Sequence, residues 1–218
     1  MALSIFDLDN TLLNGDSDYL WGQFLAEQGI VDGATYEQKN QEFYNQYKQG
    51  ILDIYEFLDF SLQPLSQHPA EQLYQWRAQF MQEKIQPIIL KQAIDLVEHH
   101  RQMGNTLMII TATNRFVTQP IAEQFGIEHL LATDPEIIDG EYTGKVKGVP
   151  CFQDGKVTRL DSWLNENNAN LADSWFYSDS HNDIPLLDKV SHPVAVDADD
   201  ILLDHAHVRQ WDVISLRE

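Results

Sequence analysis

Leu3-Ser4-Ile5-Phe6-Asp7-Leu8-Asp9-Asn10-Thr11 is the stretch on which the reading of this chain turns. A short, mostly apolar run reads as a buried strand, and it ends in two carboxylates and a hydroxyl. If the backbone stays extended there, residues two apart point the same way. Asp7 and Asp9 would then face one pocket. Close carboxylates repel, so one rises in pKa or a cation joins them. The same spacing also suits a turn or a helix cap, so this stretch alone leaves the chemistry open.

Outward from that strand, the pattern is helical from about Asp16 to Gln86. Apolar stripes recur at helical spacing: Leu20, Trp21, Phe24 and Leu25; Tyr36, Phe43, Tyr44 and Tyr47; Ile54, Phe57, Leu58 and Leu62; Leu73, Trp76 and Phe80. After Pro87 strands and helices alternate. A helix through Leu90, Ile94 and Val97 precedes the strand Thr106–Ile110. A helix near Val117–Phe125 precedes a strand near Glu128–Ala132. Asp139-Gly140 marks a hairpin turn. A helix from about Lys156 to Asn165 leads to Ser174–Tyr177, and a last strand is expected at Pro193–Val196. This alternation predicts an α/β fold with a Rossmann-like, mostly parallel sheet. Residues 1–14 and 87–218 form the core, and 15–86 form a helical cap inserted after the first strand.

Composition narrows the partners. The chain has 218 residues, 43% of them hydrophobic, enough for one full core. One cysteine, Cys151, excludes an internal disulfide framework. The N-terminus lacks the basic and apolar regions of a signal peptide, and no stretch is long and apolar enough to span a bilayer. A cytoplasmic protein is the expectation. The net charge of -20 repels nucleic acid and anionic membranes, so neither is an expected partner. It repels phosphate esters as well, so an acidic protein that handles them needs a cation or backbone N–H groups locally.

Sites in such sheets form at the C-terminal ends of strands. Three expected strand ends carry polar clusters: Asp7 to Thr11, Thr111-Ala112-Thr113-Asn114, and Ser178-Asp179-Ser180-His181-Asn182-Asp183. Asp179 and Asp183 could add oxygen ligands from a neighbouring strand, and such a set suits Mg²⁺. Thr111, at an expected strand-to-helix junction, could hold phosphate oxygens or simply cap the helix. Lys156 could balance charge on a phosphoryl group, with Lys145 and Lys147 as rivals.

These clusters resemble the haloacid dehalogenase superfamily of phosphohydrolases. Its four motifs occur in order: Asp7 to Thr11, Thr111, a lysine best matched by Lys156, and the acidic pair Asp179 and Asp183. Ser178 stands where the family usually has glycine. The helical insertion resembles the cap of the phosphoserine phosphatase-like branch. The runs Asp9 to Tyr19, Ile110 to Thr118 and Tyr177 to Ser180 look closest to bacterial histidinol-phosphate phosphatases of this superfamily.

The resemblance implies a magnesium-dependent phosphomonoesterase acting on a small phosphorylated metabolite. Asp7 is the implied nucleophile and Asp9 the acid and base. Mg²⁺ is held by Asp7, Asp9 through its carbonyl, and Asp179, with Asp183 in support. Thr111, Ala112, Lys156 and Asn182 are the implied phosphate binders.

Cap charge bears on the substrate. From Gly15 to Gln86 there are eleven acids and four bases, Lys39, Lys48, Arg77 and Lys84. Histidinol phosphate, from histidine biosynthesis, carries an amine and an imidazole, which Asp16 and Asp18 could attract; both could equally cap the first helix of the insertion. Phosphoserine carries a carboxylate, which suits an arginine. Arg115 could reach cap or substrate, and His181 could contact substrate. His99-His100 and His205-x-His207 read as surface residues. Phosphoserine or another small phosphomonoester is the alternative substrate, and a non-catalytic Mg²⁺- or partner-binding fold member the alternative of another class.

Overall fold

The computed structural model describes residues 2–217. Strands β1 (Leu3–Phe6), β2 (Thr106–Asn114), β3 (His129–Ile138), β4 (Glu141–Lys147), β5 (Trp175–Ser178), β6 (His192–Val196) and β7 (Asp212–Ile214) form one sheet in the order β4-β3-β2-β1-β5-β6-β7. Every pairing is parallel except β3 with β4. That hairpin turns at Asp139 and Gly140, both with positive φ, as the tight turn requires. β7 follows helix α10 (Asp200–Arg209) and was not foreseen; three residues with two exposed side chains give almost no periodic signal.

Alternation along the central strands builds two cores. Phe6, Ile109, Tyr177 and Val194 face one side, where they pack with the insertion and with α6 (Lys91–Gln102) and α7 (Arg115–Gln124). Ile5, Met108, Phe176 and Ala195 face the other, under α8 (Asp154–Asn167), α9 (Ile184–Leu187) and α10. Both faces are covered, which is why these strands read as continuous apolar runs.

Between β1 and α6 lie α1 (Ser17–Glu27), α2 (Gly33–Lys48), α3 (Ile54–Ser61), α4 (Gln63–Ser66), α5 (Ala70–Phe80) and a π-helical turn at Met81–Ile85. The chain leaves and re-enters through a narrow neck: Asn14 N donates to the Ile88 carbonyl at 2.7 Å, and Leu90 N to the Leu12 carbonyl at 3.4 Å. The insertion shares its apolar core with the sheet domain. Trp21 packs on Phe24, Phe80 and Phe116, the last on α7.

Candidate active site

β1 and β5 bring the two acidic clusters together. Asp7 N donates to the Tyr177 carbonyl at 2.9 Å, prolonging the strand pairing by one residue. The extended conformation then ends. The N–H groups of Thr11, Leu12 and Leu13 all turn back to the Leu8 carbonyl. Asp9 stands at the start of that turn, where its side chain is held at both oxygens. Its Oδ1 accepts from Ser17 N at 2.6 Å and its Oδ2 from Thr113 Oγ1 at 2.7 Å. Asp7 and Asp9 line the same pocket.

Lys156 joins Asp7. Its Nζ lies 2.7 Å from Asp7 Oδ1 and 2.8 Å from Asp183 Oδ2, and all three side chains are at most 5% exposed. Its rivals are elsewhere: Lys145 pairs with Asp59 on the insertion, and Lys147 is exposed. Gly155 makes the placement possible, because a Cβ there would sit 2.0 Å from the Pro150 carbonyl oxygen. Asp183 Oδ2 also accepts from Ser178 Oγ at 2.7 Å. Serine in place of the usual glycine thus helps hold the acid that holds the lysine. Asp179 is tied to the first motif: Thr11 Oγ1 donates to Asp179 Oδ1 at 3.0 Å and accepts from Asp179 N at 3.1 Å.

Burial and like charge make this an electrostatically costly site. Asp7 is pushed up to about 7, by desolvation first, against the pull of Lys156. Asp9 is raised by desolvation, opposed by its bonds from Ser17 and Thr113. Asp179 is raised well above the ordinary range by desolvation and by Asp7 and Asp183. Lys156 is raised because the two carboxylates outweigh its own desolvation. A hard divalent cation fits this excess of buried oxygen charge. Among the described residues, no three His, Cys, Asp or Glu side chains converge as a closed metal cage would require. Magnesium needs no such cage, since it keeps several waters.

Thr111 does not stand at a helix start. β2 runs on to Asn114, with an irregularity in its pairing after Ile110, and Asn114 caps α7 through Val117 N at 3.2 Å. Thr111 and Ala112 still line the pocket. Thr111 Oγ1 accepts from Thr113 N at 3.2 Å and lies 3.5 Å from Asp9 Oδ2. Thr113 is a site residue that the motifs do not mark, though strand alternation puts it on the same side as Thr111.

Over the carboxylates, the insertion builds the rest of the pocket. Asp16 and Asp18 line it, with Tyr19, Asn40, Phe43, Tyr44, Tyr47 and Phe57. Asp16 has both suggested places: it caps α1 through Tyr19 N at 2.8 Å and it borders the pocket. Burial raises it to about 7, helped by Asp9, and raises Asp18 well above the usual carboxylate range. Among the described residues, no lysine, arginine or histidine lines this pocket.

Three candidates point elsewhere. Arg115 does not reach the pocket; its guanidinium is held by Asp134 Oδ1 at 2.5 Å and the Leu130 carbonyl at 2.9 Å. His181 turns to Asp199, with Nδ1 2.7 Å from Oδ2, and its Nε2 takes the space a Cβ on Gly50 of the insertion would fill. Asn182 bridges the two layers: its Nδ2 donates to the Tyr47 carbonyl at 3.2 Å, and its Oδ1 accepts from Gln153. The arginine of the insertion, Arg77, donates to the Phe116 carbonyl and lies over the Tyr74 and Phe116 rings. His100 is buried, contrary to the surface placement expected of it. Its ring nitrogens pair with Ser4 Oγ at 2.9 Å and Tyr177 OH at 2.8 Å.

Strand ends and the start of α8 thus gather Asp7, Thr111, Asp179 and Lys156 under a helical insertion. The model of the haloacid dehalogenase-like hydrolases matches residues 5–188. The chain belongs to that family. Within it, the chain is a phosphatase, a phosphoric monoester hydrolase. A histidinol-phosphatase of Neisseria meningitidis serogroup C is 43% identical, with 99% of each chain covered. A Mycobacterium tuberculosis phosphoserine phosphatase is 29% identical over 99% of this chain and 71% of its own length. A Bordetella pertussis Tohama I protein of unknown function has a solved structure with a TM-score of 0.93 at 43% identity, covering 99% of this chain and 98% of that one. A phosphoserine phosphatase solved as a phospho-aspartyl intermediate analogue shares the fold, with a TM-score of 0.73 at 20% identity, covering 100% of this chain and 94% of that one.

Proposed function

We propose that this chain is a magnesium-dependent phosphatase that hydrolyses histidinol phosphate through a phosphorylated Asp7. The observation that carries the substrate is the pocket wall. Asp16 and Asp18 stand among aromatic rings beside Asp7 and Asp9, with no basic side chain to accept a carboxylate. Both nearby arginines, Arg77 and Arg115, are committed to other partners. An ammonium group and a flat imidazole suit carboxylates and ring faces. The carboxylate of phosphoserine would meet like charge. The full-length similarity to a histidinol-phosphatase supports the same choice.

In the first step an Asp7 carboxylate oxygen attacks phosphorus and the phosphorus–ester oxygen bond breaks. The leaving alkoxide takes its proton from Asp9. Water then attacks the aspartyl-phosphate and gives a proton to Asp9, which frees phosphate and restores Asp7. Lys156 offsets charge on Asp7 and the phosphoryl group, while Thr111 and the Ala112 N–H hold phosphoryl oxygens. Asp7, the Asp9 carbonyl and Asp179 would hold Mg²⁺, with Asp183 supporting them; the ion would supply positive charge to the phosphoryl oxygens. Residues 15–86 serve as the cap, which excludes bulk water. Asn182 joins cap to core here and is set aside as a phosphate ligand. A cytoplasmic location fits this small-metabolite role.

Phosphate release from histidinol phosphate, phosphoserine and 4-nitrophenyl phosphate, with and without Mg²⁺, tests this reading. Preference for histidinol phosphate with Mg²⁺ is expected. Preference for phosphoserine overturns the substrate, and release that survives EDTA overturns the metal. Release from none of them favours a binding protein.

A further inference from the structure

We propose that Thr113 is a positioning residue for the acid step: its hydroxyl keeps Asp9 aimed and hydrogen-bonded in both protonation states. This rests on Asp9 acting as the acid and base. Asp9 is held at both oxygens. The donor on Oδ1 is a backbone N–H, that of Ser17 at 2.6 Å. A backbone N–H can only donate, so Oδ1 stays an acceptor throughout. The partner on Oδ2 is Thr113 Oγ1 at 2.7 Å, a hydroxyl that can rotate as a proton comes and goes while the backbone N–H cannot, and the transferable proton is assigned to that oxygen.

A hydroxyl suits that place where most groups would not. It donates to one lone pair of Oδ2 while the proton occupies another. When the carboxylate is bare it donates again, with no movement of heavy atoms. Thr113 is 4% exposed, so water has little access to replace it. Thr113 also frees its neighbour. Thr111 Oγ1 donates to the same oxygen only at 3.5 Å, so Thr113 makes the close bond and the longer one can be given up when a phosphoryl group arrives. The two threonines share one strand face with divided tasks.

Leaving-group dependence separates this from a packing role. An aryl alcohol departs without much help from an acid, whereas an alkyl alcohol needs the proton. We compare kcat/KM for histidinol phosphate and 4-nitrophenyl phosphate in wild type, Thr113→Val, Thr113→Ser and Asp9→Asn, with the unfolding midpoint of each. For Thr113→Val the alkyl ester is expected to lose about 10–100-fold, the aryl ester much less, and Thr113→Ser to restore most of the loss. Equal losses on both esters, or no loss, with Asp9→Asn still discriminating between them, overturn this proposal alone. Failure of Asp9→Asn to discriminate overturns the acid assignment and this proposal with it. If histidinol phosphate is not hydrolysed, the substrate reading falls, and the preferred alkyl ester takes its place in the same comparison.

Discussion

Lys156→Met in the metal-free protein puts the site's electrostatics to a quantitative test. The substitution removes the Nζ shared by Asp7 and Asp183 at 2.7 and 2.8 Å, deep in the core. Breaking a buried ion pair by removing one partner costs about 3–5 kcal/mol. For a chain of this size, that is roughly 6–20 °C in Tm. The pH dependence is the sharper readout. Asp7 ionises near 3.8 when unfolded and at about 7 when folded, even with the lysine present. Between those values the folded state holds the extra proton, so stability falls as pH rises. In wild type that fall ends a little above pH 7, where both states are ionised. Without Lys156 the folded value moves higher, so the fall continues. The deficit of the variant should therefore widen by about 1 kcal/mol from pH 7 to pH 8, and change little from pH 5 to pH 6. Thermal and urea unfolding in EDTA measure both quantities. A deficit that is absent, or that stays constant from pH 6 to pH 8, would refute the reasoning.

Three further outcomes follow from the geometry. His100, held near 4 by burial and by His99 against an ordinary 6.5, stays neutral while the unfolded chain takes up its proton. Its contribution, about 3 kcal/mol, is present above pH 6.5 and lost as pH falls towards 4; unfolding of His100→Gln should be that much less pH-dependent over this window. Gly155→Ala forces a Cβ against the Pro150 carbonyl oxygen, so calorimetry should show a loss of at least about 1–3 kcal/mol, with activity falling as Lys156 is displaced. Asp18→Asn should raise KM for histidinol phosphate by about 5–10-fold, the worth of one charge-assisted contact, and leave KM for 4-nitrophenyl phosphate unchanged.

The sheet was readable because its signals are local. β1, β2, β5 and β6 are apolar runs closed by polar clusters, and Asp139-Gly140 announces its own turn. Residue chemistry alone leaves the lysine as one of three; the family resemblance picks out Lys156, and the physical reason it reaches Asp7, the approach of Gly155 to Pro150, is expressed by no spacing. His100 could have been placed: Ala93, Val97 and His100 share the buried face of α6, and a histidine at that period is a core residue once Ser4 and Tyr177 supply partners. Thr113 was within reach of strand alternation too, had β2 been carried past Ile110. Arg115, at the start of α7, was not, because its direction depends on Asp134, nineteen residues away on β3.

The pocket shows why the catalytic part of such a chain is more legible than the selective part. Asp7 and Asp179 follow strand ends, Lys156 opens α8, and Thr11 and Asp183 tie them in place, so each motif carries its own geometry. Asp16, Asp18, Asn40 and the tyrosines come from helices whose polar faces resemble any solvated helix in sequence. What distinguishes them is a relation between helices. Asn40 Nδ2 donates to the Tyr19 carbonyl at 2.9 Å, across the α1–α2 contact, and Gly22 leaves the room for it, since a Cβ there would lie 2.6 Å from that nitrogen. The acidic count of the insertion pointed towards a cationic substrate only as a bulk property. Which acids matter is decided by this packing, where two of the eleven, Asp16 and Asp18, turn inward over Asp9. On the proposed function, selectivity is set where α1 meets α2, and substitutions at Gly22 or Asn40 are expected to change the ratio of kcat/KM for histidinol phosphate to that for 4-nitrophenyl phosphate before they change the chemistry at Asp7.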